Sequence, residues 1–399
     1  MCEISVQHGR LRGVRSIALL VAALAALAAV PTGALGATKH APKGLAFYTP
    51  PARLIAGTPG SVIWSRQIAT PKHLPAAARA TRVLYRSVLP NGKPTAISGL
   101  VFTPRGHAPR HGWKLIDWAH GTTGIADVCA PSRSAGTSYV YPQFNAWLKA
   151  GYAIAQTDYQ GLGTPGVHEY LIGHAEGRSV IDAALAARHL FGGIGKRYVI
   201  AGHSQGGQSA LFAAAEAAHD APRLTLAGIA AFAPASHLAT QVKAAAALTK
   251  PGGGLSALGG LIVTGAAAAS KAINLRALLS PAAYKLLPAV QHECTDALSK
   301  SNSWGGLAPA QIMRPGANAT ALYRVLDAEN PALKISVPVI ILQGSADTLV
   351  FPTFTNQLQG ELVAKGDRVT YDVVQGAVHG DVVALGNATF TSWLKQRFG

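Results

Sequence analysis

The chain is 399 residues long, nearly half of it apolar and only 13% charged, a composition that supplies a sizeable core and argues against disorder. Its formal net charge is +17, yet Lys and Arg are scattered, with no block interleaved with aromatics, which speaks against nucleic-acid binding. A basic surface remains compatible with anionic envelopes or fatty-acid-laden surfaces.

The first 36 residues read as a secretory signal. Arg10, Arg12 and Arg15 precede an apolar run over residues 17–30, then Pro31 and a small-residue site at Ala34-Leu35-Gly36, so cleavage is expected between Gly36 and Ala37. The run is shorter than the roughly 20 residues a membrane span needs. Residues 255–269 form the best later candidate, and they are short and interrupted by Gly259, Gly260 and Gly265, so no stable transmembrane span is expected in the mature protein. With Arg10, Arg12, Arg15 and Glu3 removed, the net charge falls from +17 to +15. Cys2 also leaves. Cys129 and Cys294 then form an even pair in an oxidising compartment, which argues for one disulfide, the alternative being two unrelated buried thiols.

Beyond a Pro-rich approach at residues 41–51, β-formers cluster at 81–88 and 95–103 around the turn Pro90-Asn91-Gly92, which predicts an antiparallel hairpin. Short apolar strands follow at 114–119, 153–157, 198–202, 226–233, 338–344 and 369–374. Residues 141–150, 177–191 and 208–218 carry apolar side chains at helical spacing. Strands alternating with helices predict an α/β fold with a mostly parallel central sheet. From 236 to 330 no strand pattern occurs, and Ala/Leu-rich helical pieces broken by Gly and Pro predict an inserted helical cap. The expected organisation is a signal at 1–36, a core at 37–235 and 331–399, and a cap at 236–330. No internal repeat is visible, and the sequons at Asn318 and Asn387 read as coincidence.

Gly202-His203-Ser204-Gln205-Gly206 lies between the strand ending near Ala201 and the helix expected from about Gly207. A strand-to-helix turn this tight strains the nucleophile's backbone and leaves no room for side chains two positions away, so the pattern points to Ser204. The helix behind it aims amides at the site of a developing oxyanion, and Gln205 supplies one.

A serine nucleophile needs a base and an acid later in the chain. Asp347 follows the strand near 339–342 in Gln343-Gly344-Ser345-Ala346-Asp347, and His379 follows the strand at 369–374 in Val378-His379-Gly380-Asp381. Asp327, Asp367, Asp372 and Asp381 compete as acids, and His203, His219, His237 and His292 as bases, with poorer placement. Earlier, His120-Gly121-Thr122-Thr123-Gly124 closes the strand at 114–119, where Thr122 or Thr123 would give the second oxyanion amide. His120 is expected to brace that loop, and Asp158 to organise the loop 157–163. The histidines lack zinc spacing and no phosphate-binding loop occurs, so neither metal nor cofactor is expected.

These segments together resemble the secretory lipases of the Candida antarctica lipase A type, particularly their bacterial members. The resemblance rests on His120 to Gly124, Cys129-Ala130-Pro131-Ser132, Asp158 to Gly166, Gly173 to Asp182, the elbow at Ser204, and the Asp347 and His379 segments. It implies an α/β-hydrolase fold with a helical lid, lipase or esterase activity, and a disulfide from the Cys129 segment into the cap. The yeast pattern has an acidic residue where Thr123 aligns, so the donor at 122 or 123 stays open.

The expected activity is hydrolysis of acylglycerols or other fatty esters, at a lipid–water interface or on soluble ester, through Ser204, His379 and Asp347. A peptidase or amidase on the same scaffold is the alternative. Such an enzyme ordinarily needs charged groups in its cap to anchor a peptide terminus, and the acids here are few, chiefly Glu293 and Asp296. A non-catalytic envelope-binding protein is a third reading, disfavoured by the intact Ser, His and Asp.

Overall fold

The computed structural model describes residues 41–135 and 138–399, so the leader read at 1–36 lies outside the described residues. The strands β1 (Val62–Ile68), β2 (Ala77–Val88), β3 (Pro94–Pro104), β4 (Trp113–Ala119), β5 (Tyr152–Thr157), β6 (Ile194–His203), β7 (Thr225–Phe232), β8 (Val339–Gly344) and β9 (Val369–Val374) form one sheet in the order β1-β2-β3-β5-β4-β6-β7-β8-β9. The pairs β1–β2, β2–β3 and β3–β5 are antiparallel, and every pair from β5–β4 to β8–β9 is parallel. This is the α/β-hydrolase fold. The expected hairpin is β2–β3, with Val88 opposite Pro94 beside the turn. β1 carries no signal that separates it from loop: of Val62–Ile68 only Trp64 is buried, while Ser65, Arg66 and Gln67 meet solvent on an edge.

The parallel strands are buried on both faces. β5 and β8 are buried throughout, as short apolar runs require when helices cover both sides. One face packs on α1 (Tyr141–Lys149), where Trp118, Phe144 and Trp147 meet, and on the C-terminal helix that contributes Phe390 and Trp393. The other packs on α2 (Gly173–Leu190) and α3 (Gln205–Asp220), whose Ala-rich faces let the helices lie close to the sheet. Both helices start before their apolar periodicity does, because Gly173 to Glu176 and Gln205 to Gly207 are polar or small and yet largely buried.

Between β7 and β8 the described chain runs through α4 (Leu238–Ala245), α5 (Gly254–Ala269), α6 (Leu275–Leu278), α7 (Pro281–Val290), α8 (Thr295–Leu298) and α9 (Thr320–Ala328). These share a separate apolar cluster around Leu261, Val263, Trp304 and Leu326. The chain closes with α10 (Pro352–Ala364), α11 (Val382–Leu385) and α12 (Asn387–Phe398). Among the described residues no helix is long and apolar enough to cross a membrane.

Candidate active site

The C-terminal ends of β6, β8 and β9 lie close together, and the loops leaving them carry Ser204, Asp347 and His379. Ser204 sits between β6 and α3 with φ 58° and ψ −117°, a region costly for a residue with a Cβ, by about 1–3 kcal/mol. Its N–H is held by the carbonyl of Phe232 in β7 at 2.8 Å, and its carbonyl accepts from Gly207 at 2.9 Å. The flanking glycines are required by contact: a Cβ at Gly202 would lie 2.0 Å from the oxygen of Gly206, and one at Gly206 would lie 1.9 Å from the oxygen of Ala119.

His379 Nε2 stands 2.9 Å from Ser204 Oγ, and its Nδ1 2.7 Å from Asp347 Oδ2. The carboxylate can only accept, so Nδ1 carries the proton and Nε2 is left to accept the serine hydroxyl. The other oxygen of Asp347, Oδ1, accepts from the backbone amides of Leu349 and Val350, both at 2.9 Å. Burial pushes the Asp347 pKa up, but the bonds from His379, Leu349 and Val350 outweigh it, and the carboxyl ends below its ordinary value. Gln343 braces it as well, with Nε2 at 3.3 Å from Oδ2.

Gln205 is the first residue of α3, so its amide has no intrahelical acceptor. Its side chain is clamped beneath the site: Nε2 lies 2.7 Å from Glu176 Oε1 and 3.0 Å from His168 Nε2. Thr122 and Thr123 lie in the loop after β4. The hydroxyl of Thr122 is engaged by Tyr170 at 2.7 Å, whereas Thr123 Oγ1 is buried without a hydrogen-bond partner. His120 braces this loop from below, with Nδ1 2.7 Å from the Gly121 oxygen and its ring against Tyr159; burial lowers its pKa to about 4. Cys129 and Cys294 are joined by a disulfide, which links the start of α8 to the segment after this loop.

The competing residues lie elsewhere or do other work. Asp327 is in α9 and Asp372 in β9; Asp367 binds the amide of Ile335 and Lys334. Asp381 accepts from the amide of Val378 at 2.8 Å and so shapes the His379 loop. His219 pairs with Asp220, His237 with Glu361, and His292 follows α7. Asp158 accepts from Ser98, Ser132 Oγ and the Ser132 amide, the loop-organising role its position suggests. Sequence reasoning missed Glu176, Gln343 and Tyr170; a glutamate among small residues in the first turn of α2 was the one available hint.

A cavity of about 240 Å³ opens beside Ser204 beneath α4 and α5. Leu238, Val242, Leu258, Ile262, Ile312 and Met313 line it on one side and Val350 and Phe354 on the other; no charged residue does. Among the described residues no cluster of His, Cys, Asp and Glu could hold a metal ion.

The family model described as "Secretory lipase" matches residues 137–399, well over half of the chain. The chain belongs to the secretory lipase family. It is accordingly a hydrolase of the lipase and esterase type, acting on carboxylic esters. Candida antarctica lipase A in its closed state superposes with a TM-score of 0.73 at 20% identity, over 88% of this chain and 85% of that one. A mutant of the rice cell wall degrading esterase LipA from Xanthomonas oryzae gives 0.72 at 18%, over 85% of this chain and 98% of that one. At such identities these likenesses establish the fold of this family member. No curated protein sequence matches the chain.

Proposed function

We propose that this secretory lipase is an exported serine carboxylester hydrolase that works through an acyl-enzyme on Ser204. His379 Nε2 takes the hydroxyl proton as Ser204 Oγ attacks the ester carbonyl, and Asp347 orients the ring and stabilises its cation. The amides of Gln205 and of Thr122 or Thr123 receive the oxyanion. His379 then protonates the leaving alcohol, and water, activated by the same imidazole, frees the acid. The observation that carries this reading is the Ser204–His379–Asp347 chain of hydrogen bonds at 2.9 and 2.7 Å.

The uncharged cavity at Ser204 supports a fatty acyl substrate over a peptide, whose terminus would need a charge to meet it. Leu248 and Phe351, 48% and 43% exposed, also line it and would meet a lipid–water interface. Residues 236–330 would serve as the lid, and residues 1–36 as the export signal. A fluorophosphonate probe tests the core of the reading. It should label Ser204, and Ser204→Ala should abolish both labelling and ester hydrolysis while the fold persists; activity within about tenfold of the parent would refute it, since a lost nucleophile costs far more. Asp347→Asn should lower kcat by about 10⁴.

A further inference from the structure

His203 precedes the nucleophile in the elbow and is buried. Its Nε2 lies 2.9 Å from the backbone carbonyl oxygen of His379, and its Nδ1 2.8 Å from the hydroxyl of Tyr139. A carbonyl oxygen only accepts, so Nε2 carries the ring proton; Nδ1 is then free to accept from the Tyr139 hydroxyl. Burial, and next the neighbouring His379, lower the His203 pKa to about 3, so the ring keeps this neutral form over the range in which esterases work. The two imidazoles face one another with centroids 4.6 Å apart and planes tilted by 37°. Across this contact lies Gly121, where a Cβ would come 3.1 Å from His203 Nδ1 and 3.3 Å from the Tyr139 hydroxyl oxygen.

The loop that carries His379 is anchored by buried Ala377, and beyond it packs few side chains until Val382. Val378 next to His379 is exposed and Gly380 has no side chain, so polar contacts hold the His379 main chain itself. We propose that His203 is a positioning residue for hydrolysis: its Nε2–H holds the His379 carbonyl and thereby aims the imidazole at Ser204, while Tyr139 holds His203 in the tautomer that can do so. The inference rests on the Ser204–His379–Asp347 reading and adds to it a tie between the nucleophile elbow, the base loop and the oxyanion loop.

Two amide substitutions separate the two bonds of the ring. A glutamine side chain at this position would carry its NH₂ at the reach of Nε2, and the shorter asparagine reaches only the Nδ1 position. His203→Gln therefore keeps the bond to His379, and His203→Asn keeps only that to Tyr139. Expected is a kcat within about fivefold of the parent for His203→Gln and about a hundredfold lower for His203→Asn and His203→Phe, the scale of a misplaced catalytic group. KM should hold, and fluorophosphonate labelling of Ser204 should slow in step with kcat. Tyr139→Phe, at a half-exposed site that tolerates the change, should cost about fivefold in kcat at unchanged melting temperature. Equal losses in the Gln and Asn variants, tracking a common fall in melting temperature, would reduce His203 to a packing residue and overturn the inference, as would parental kcat in both Asn and Phe variants. Ser204→Ala run alongside separates the two levels: an active Ser204→Ala overturns the site itself, whereas an inactive one beside a parental His203→Asn overturns only the role of His203.

Discussion

The amide of Thr295 donates to the carbonyl oxygen of Thr123 at 3.0 Å, so the start of α8 and the loop after β4 share a backbone hydrogen bond. The disulfide lies directly beneath: a Cβ on Gly124 would stand 2.8 Å from Cys129 Sγ and 3.2 Å from Cys294 Cα. The bridge therefore touches the loop after β4, the proposed source of an oxyanion amide, as well as the root of the helical segment.

Reduction of Cys129–Cys294, or Cys294→Ala, should consequently lower kcat on acetyl and oleoyl esters by similar factors, instead of sparing the short ones. Closing so long a loop contributes up to about 4–5 kcal/mol in the chain-entropy model, so the melting temperature should fall clearly too. Mass spectrometry of unreduced protein checks the bond, and a loss confined to long esters would assign it to the helical segment alone.

Gly206→Ala should give no soluble folded enzyme. The added methyl would meet the oxygen of Ala119 at 1.9 Å and that of His120 at 2.7 Å, both main-chain atoms that cannot swing away. A cost of about 4 kcal/mol or more is expected from such a clash, and soluble yield with circular dichroism reads it.

The two threonines of the loop after β4, candidates for the second oxyanion amide, should differ. The Thr123 hydroxyl is buried and unpartnered and on the proposed reading would be available to an oxyanion, while that of Thr122 is bound to Tyr170. Thr123→Val should lower kcat about tenfold to a hundredfold with KM little changed, somewhat less than the loss of a dedicated oxyanion donor. Thr122→Val should act mainly on KM, through Tyr170 at the cavity wall. Steady-state kinetics of both variants decide it.

Glu176 should make stability fall on the alkaline side. Ser209 Oγ lies 2.9 Å from the Gln205 carbonyl oxygen and 2.6 Å from Glu176 Oε2, and its single proton cannot serve both acceptors. A protonated Glu176 can donate to Ser209 while Ser209 donates to the carbonyl, whereas an ionised Glu176 takes the Ser209 proton itself. Burial raises its pKa to about 8 against bonds from Ser209, Gln205 and Leu171 that lower it, with Glu329 adding to the rise; neutral His168 stands 3.5 Å away. A folded pKa above the unfolded one gives stability that is full below about pH 4 and lost as pH climbs through about 8. Glu176→Gln, which keeps an acceptor for Leu171 and Gln205, should remove that loss: denaturant midpoints should match the parent at pH 5 and exceed it at pH 9.

Much of this was legible in the sequence because it is written in local constraints. Gly202 and Gly206 flank Ser204 for reasons of contact, and β8 and β9 announce themselves as apolar runs before Asp347 and His379. The edge strand β1 was not legible, since one buried Trp64 leaves no alternation to read. Nor were the partners behind the site: Glu176 and His168 stand 29 and 37 residues from Gln205 in sequence and meet it only when α2 and the loop before it pack on α3. His203 looked like an alternative base because its role lies in a hydrogen bond to a main-chain atom 176 residues away, which no side-chain pattern encodes.

The close approach of Gly206 to Ala119 and His120 has a further bearing on how such an enzyme can change. The segments that carry the proposed amide donors, Gln205 on one and Thr122 or Thr123 on the other, meet main chain against main chain at Gly206 and Ala119–His120, with no side chain there to lengthen or shorten. Variation in acyl preference would then arise at the cavity wall of α4 and α5, where partly exposed side chains such as Val242, Leu258 and Ile262 can change without touching that contact.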